Sequence, residues 1–437
     1  MTRHIAGHGV IVVALACAAG TPHAATEADI EKSFFPYMHA LPTAPGVAPG
    51  TVINQGNVAN FEGVLDPGMQ RYIREGAVEI TVGATTSFDT NKSYVDATKV
   101  NAGKVKLGAK PGELVGYVAG RPFPEEPDAN DPRAGEKLAW NYRYGFGWGD
   151  GLAVSPFYWK YINMDSGKVE RKVLFNFHLI KYTHRLSQPP VPEITPNPSN
   201  LYRATYVKVL EPQDVKNTQL LIQRYEDDLK LDDAYLYLGF QRRVRRLSTG
   251  QTTDAFLGSD MMIEDFEGYN GRISDMSWRY KGTANIVLPF YNHNDMKLSD
   301  EYKEQDGYKY VTFGGKGGCF PNVTWQLRKV HILESSPIDP NHPVSRRVHY
   351  MDAQTSVMAM SLVYDRKGDL WKTYIVGWTH PDFHLAKNKG TGIVLFDAFT
   401  MIDIQAKHCT TAEMKGQSDA EMVPVGLFNV QNMRGGN

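Results

Sequence analysis

Apolar and polar residues alternate over long stretches of this chain, the period-two pattern of strands with one buried face. In 323–333, Val323, Trp325 and Leu327 alternate with Thr324, Gln326 and Arg328. Strand signals dominate from about residue 155 onward. Residues 169–186 predict one long strand or two, and further strands fall at 201–210, 218–226, 234–240 and 242–248. The clearest meander is 346–378, with turns at Asp352-Ala353-Gln354 and at Asp365-Arg366-Lys367-Gly368, where Gly368 supplies the positive φ that the loop needs. The segment 187–200 holds Pro189, Pro190, Pro192, Pro196 and Pro198, so it predicts an exposed loop.

Helical signals sit near the front. Residues 26–65 read as a short helix and an extended arm. Asp66-Pro67 is a cap followed by Pro at the first helical position, predicting a helix that runs into a strand by residue 86. Asp131-Pro132 starts a second helix, with Leu138, Tyr142 and Gly145 on one face and Trp140 and Tyr144 on another. A helix apolar on two faces suits a position wedged between layers. No fixed-period repeat and no heptads occur.

Composition supports strands: the 437 residues include 23 Tyr, 19 Phe and 7 Trp, which favour pleated, half-buried surfaces. A net charge of -1 gives no broad field for nucleic acid, which is not an expected partner. The apolar run Val10–Ala19 after Arg3 and His4, then small residues and Pro22, reads as a signal peptide over 1–25, cut near Ala24 or Ala25. The periplasm is the expected compartment. Cys17 follows Ala14-Leu15-Ala16, a loose lipoprotein box, so an outer-membrane lipoprotein anchored at Cys17 is the second reading. The remaining Cys319 and Cys409 form a candidate disulfide, worth ~4–5 kcal/mol on the chain-entropy model.

Chemical motifs are weak. His178 and His184 on one continuous strand would lie ~20 Å apart, too far for one metal. His380 and His384 have helical spacing, but Pro381 follows the first and no third ligand stands at a useful spacing. Gly314–Gly318 lacks the helix opening of a phosphate loop, and no nucleophile elbow is present. Asp260 and the 263–267 acids suit acid–base work, or a short helix capped by Ser259. The basic run Arg242–Arg246 reads as an ion-paired strand rather than a phosphate site. No catalytic, cofactor or metal residues are assigned, and the chain is expected not to be an enzyme.

Three separated patches carry a resemblance. The first, 242–282, has paired arginines, then Ala255-Phe256-Leu257-Gly258-Ser259-Asp260, then Glu264-Asp265-Phe266 and an aromatic strand. The second runs from Arg121-Pro122-Phe123-Pro124 to Ala139-Trp140-Asn141, and the third from Arg346–Asp352 to Tyr364–Trp371. In this order they resemble bacterial exported proteins of the outer-membrane lipoprotein-sorting-protein-like kind, a family of unknown function that is similar to Lol-type lipoprotein carriers.

The resemblance implies a mainly β (α+β) fold: a strongly curved antiparallel sheet, or unclosed β-barrel, with a few covering helices. It makes 26–437 one carrier-like domain with an N-terminal helical arm and a C-terminal extension, and leaves 283–322 and 380–437 individual to this chain. The expected function is an envelope protein that binds an amphipathic lipid or lipoprotein, as a shuttle or an accessory to an envelope transporter. The alternatives are a structural adaptor docking on such a transporter without lipid cargo, and a hydrolase using His178, His380 or Asp260. Trp278, Tyr280, Trp325, Trp371 and Trp378 are candidates to line the cleft. A long acyl chain at ~0.8 kcal/mol per buried methylene could supply ~10 kcal/mol before ordering costs. The carrier reading requires an apolar hollow inside the sheet, and a flat sheet, or one fully plugged on its inner side by the protein's own side chains, overturns it.

Overall fold

The computed structural model describes residues 25–239, 241–247 and 252–434. Residues 1–24, on which the signal-peptide and Cys17-anchor expectations fall, lie outside them. Among the described residues sixteen strands form one curved, mostly antiparallel sheet that does not close. In chain order they are β1 Val52–Ile53, β2 Ile80–Gly83, β3 Gly151–Asn163, β4 Val169–Lys181, β5 Leu201–Glu211, β6 Gln219–Tyr225, β7 Asp233–Leu238 and β8 Arg243–Arg246. There follow β9 Met276–Leu288, β10 Phe290–Tyr291, β11 Thr324–Pro337, β12 Val344–Asp352, β13 Met358–Asp365, β14 Leu370–Thr379, β15 Leu395–Asp403 and β16 His408–Gln417. The spatial order is β1-β2-β11-β12-β13-β14-β15-β16-β3-β4-β5-β6-β7-β8, with β9 beside β11 and β10 beside β14.

The pairing of β16 with β3, from Gln417 opposite Ala153 to His408 opposite Asn163, joins two meanders that are separate in sequence. Part of what the sequence presents as a C-terminal extension thus lies in the middle of the sheet. Register shifts between Val154 and Phe157, and between Gly377 and Trp378, insert extra residues that bend their strands and help the sheet to curl. Cys319 and Cys409 are bonded across a sequence separation of 90, pinning the glycine-rich 314–318 loop to β16.

Three of the helices near the front of the chain, Glu27–Phe34, Pro67–Arg74 and Ala134–Arg143, lie where the sequence predicts them. In α1 (Glu27–Phe34) Thr26 and Asp29 form a capping box. In α2 (Pro67–Arg74) the buried Asp66 carboxylate accepts from the amides of Gly68 and Met69. Helix α3 (Lys92–Asn101) has no counterpart among the sequence expectations. Helix α4 (Ala134–Arg143) packs on β9 so closely that a Cβ on Gly135 would stand 2.6 Å from the Arg279 backbone. The second patch of the resemblance is explained here: the Asn141 amide bonds both backbone groups of Phe123, at 2.9 and 2.6 Å. Arg121 reaches the carbonyl of Gln354 at 2.6 Å, on the turn after β12.

Candidate functional site: an aromatic box and its plug

Side chains from β3, β4, β5, β14 and β15 converge inside the curl. Phe157 and Trp159 share one face of β3, and Phe175 and Phe177 one face of β4, because strand neighbours alternate. Val207, Tyr374, Phe396 and Phe399 complete the walls, with Trp148 at one end. Rings meet edge to face, as in Trp159–Phe399 at 5.5 Å and Phe157–Phe175 at 4.6 Å.

Among the described residues this box holds no open hollow of the kind a carrier requires. The space left is about 20 Å³, enough for roughly one water. What fills it does not belong to the sheet. Phe256, Met261 and Phe266 enter from the segment between β8 and β9, with Phe256 and Phe266 5.5 Å apart and both against Trp159. These are the phenylalanines of the first resemblance patch. The acids that follow Asp260 form a short 3-10 helix, Ile263–Gly268, begun by Met262 rather than capped by Ser259.

Polar contacts hold this plug to the sheet. Arg347 on β12, itself fully buried, bonds the carboxylates of Glu264 and Asp265. The Lys372 ammonium donates to the Asp260 carbonyl at 2.6 Å, and Asp260 Oδ2 meets His408 Nδ1 and Thr410 Oγ1, each at 2.7 Å. At the far end Glu267 takes a two-pronged bond from Arg203, at 2.9 and 3.3 Å. Leu257 and Glu267 have φ of 54° and 64°, a left-handed conformation that costs a side-chain-bearing residue energy.

Beyond Glu267 and Trp148 lies a second small cavity of about 20 Å³, lined by Arg143, Lys181, Tyr202, Arg203, Tyr269 and Trp378 among others. Arg143 pairs with Asp228 at 3.1 Å. Lys181 Nζ has a long contact, 3.5 Å, to the Gly145 carbonyl. Burial pushes the Lys181 ammonium down to about 8. The folded protein therefore binds this proton less readily than the unfolded chain between pH 8 and about 10.4, so native stability rises with pH across that window. Below pH 8 the cost is fully present, and Lys181→Met is expected to stabilise the fold by up to about 3 kcal/mol. Urea unfolding of both proteins from pH 7 to 10 checks this, the difference shrinking as pH rises.

Of the five aromatic residues expected to line a cleft, Trp378 adjoins the box, 5.4 Å from Phe396 and 6.3 Å from Trp148. Trp325 is buried in the main core on β11. Trp278 sits in a separate cluster under α4, its indole N–H bonded to the Ile273 carbonyl. Trp371 packs with Met262 and donates to Asp403 at 2.9 Å. Tyr280 is half-buried and bonds Thr283. The hydrolase candidates are not gathered either: His178 neighbours Tyr206, His380 stacks on Phe88 at 5.0 Å, and Asp260 serves the plug. On edge strand β8, Arg246 pairs with Asp233.

The structure does gather a cluster that sequence spacing hid. His293, His384 and Asp397, all buried, place their polar atoms within 4.8 Å of one another, a metal-like set. Its outer contacts favour a different role. The Asn388 amide is oriented by Ser418 N–H on its oxygen and by the Gly416 carbonyl on its nitrogen, so that nitrogen donates to His384 Nδ1 at 2.8 Å. His384 then carries its proton on Nε2 and points a donor, not a lone pair, at Tyr308 and Asp397. His293 at 2.8 Å and Tyr291 at 3.0 Å also bond Asp397. Burial opposes its charge, yet this ring of donors holds the Asp397 carboxyl well below the usual range. The cluster is a hydrogen-bond hub that locks the ends of β10 and β15.

An uncharacterized Pseudomonas aeruginosa protein, PA3922, is 25% identical over 333 residues, 73% of this chain and 67% of its own. The crystal structure of a DUF1329 family protein from Desulfovibrio piger is similar over 70% of this chain and all of its own, with 17% identity and a TM-score of 0.47. A LolA superfamily protein from Nitrosomonas europaea, NE2245, is similar over 65% of this chain and 91% of its own, with 11% identity and a TM-score of 0.36. Residues 52–434 match the model of a protein family of unknown function, DUF1329, and the chain belongs to that family.

Proposed function

We propose that this protein is an exported envelope protein that binds an amphipathic lipid, or the acylated end of a lipoprotein, and hands it on without changing it. One observation carries the reading: an aromatic box inside the curl is closed by a segment outside the sheet, so it can be emptied without breaking a strand pairing. Removing Phe256, Met261 and Phe266 from the box would expose apolar walls that a hydrocarbon chain can cover at ~25 cal/mol per Å² of area buried. Two of those three residues, Phe256 and Phe266, belong to the 242–282 patch that resembles lipoprotein-sorting-like proteins. Periplasmic residence, and service to an envelope transporter, belong to the same proposal.

The filled box favours one rival: a docking adaptor whose plug never leaves. Protein isolated without detergent, then examined by native mass spectrometry before and after incubation with phospholipid vesicles, separates the two. The carrier reading expects a lipid-sized mass increment on a fraction of the chains. An empty protein that takes up no phospholipid, yet crosslinks to a membrane protein in cells, would replace it with the adaptor.

A further inference from the structure

The plug matches its site in two chemistries at once. Phe256, Met261 and Phe266 supply apolar bulk to the box, and Glu267, the next residue, supplies a carboxylate to Arg203. Glu267 lines both the apolar cavity and the polar one behind it. That polar cavity is rich in cations. Its cations are Arg143, Lys181 and Arg203, and Arg143 has Asp228 as its own partner. Arg203 has the plug carboxylate, with the Asn270 side chain at 2.5 Å as a neutral partner. Lys181, 6% exposed, has no carboxylate within ion-pair reach among the described residues and touches the Gly145 carbonyl at 3.5 Å. Withdrawing the plug therefore leaves a greasy hollow with two buried cations at one end, Arg203 and Lys181.

We infer that the ligand of this site is an anionic amphiphile, and that residues 256–267 occupy the site as its internal substitute. Phe256, Met261 and Phe266 stand where the hydrocarbon goes, and Glu267 stands where a carboxylate or phosphate head group meets Arg203 and Lys181. This deepens the lipid-binding reading and rests on it. A neutral amphiphile could displace the aromatic rings but would strand Arg203 without a counter-charge, which a buried guanidinium tolerates poorly. An anionic one exchanges one carboxylate for another. The left-handed conformations of Leu257 and Glu267 give the plug backbone a reason to leave once its contacts are replaced.

The test is calorimetric titration of the full mature chain with three probes of equal chain length: dodecanoate, dodecyl phosphate and dodecanol, each below its aggregation threshold. The anionic probes are expected to bind at least tenfold tighter than dodecanol. Lys181→Met should cut that ratio at least fivefold, and Glu267→Gln should raise affinity for both anionic probes by severalfold, since the internal competitor loses its charge. Near-ultraviolet circular dichroism confirms that each variant is folded, and Arg203→Lys serves as a second probe of the ratio should Lys181→Met fail to fold. Equal binding of all three probes overturns the anionic inference and leaves the lipid reading standing. No binding of any probe, by the parent chain or by Glu267→Gln, overturns the lipid reading itself.

Discussion

Asp352→Ala is expected to lower the free energy of unfolding by about 3–5 kcal/mol, because it leaves a charged guanidinium buried with no counter-charge. Arg328 on β11 and Asp352 at the end of β12 are both fully buried, with Nε to Oδ1 at 2.5 Å and Nη2 to Oδ2 at 3.3 Å. The remaining partners of Arg328 are neutral: the Thr86 carbonyl at 2.8 Å, the amides of Gln326 and Gln354, and the Phe290 ring 4.3 Å below it. Asp352 also accepts from the amide and hydroxyl of Thr355, which would lose their acceptor. Urea unfolding of the parent, each single variant and Arg328→Met/Asp352→Leu measures the coupling. The double variant should recover much of the loss, since an apolar pair can replace a buried ion pair at little cost. A single-variant loss under about 1 kcal/mol would mean that water reaches the pair.

The second large effect concerns the disulfide. Reduction, or the double change Cys319→Ser/Cys409→Ser, is expected to cost about 4–5 kcal/mol, the loop-closure contribution for a link spanning 90 residues. The closed loop contains β11 to β15, a run of neighbouring strands that would otherwise be free to separate as a unit in the unfolded chain. The urea midpoint should fall, and the denaturant slope should rise slightly as the unlinked chain expands. Equal midpoints for oxidised and reduced protein would contradict the bond.

Much of the local structure could be read directly. The 346–378 meander appears as β12, β13 and β14, with Gly368 at φ 86° in the second turn. The Asp66-Pro67 and Asp131-Pro132 starts lead into α2 and α4. The aromatic box was half legible. Phe175 and Phe177 alternate visibly, and Phe256 and Phe266 stand out as motif residues, but nothing local says that they meet. Tryptophans drew the expectation to Trp278 and Trp371 because size alone marks a core residue, not which core. The Asp397 hub was invisible for the same reason, as its members come from positions 293, 308, 384 and 397 with no fixed spacing.

By itself the sequence determined the period of each strand, the turns that punctuate them and the family motifs, because these depend on neighbours along the backbone. Only the tertiary structure decided that β16 lies beside β3, that the 256–267 segment turns inward, and that Glu267 faces Arg203. Those outcomes depend on pairings between distant residues, where burying apolar area and matching every buried charge must be satisfied together, and no local pattern encodes which partners achieve it.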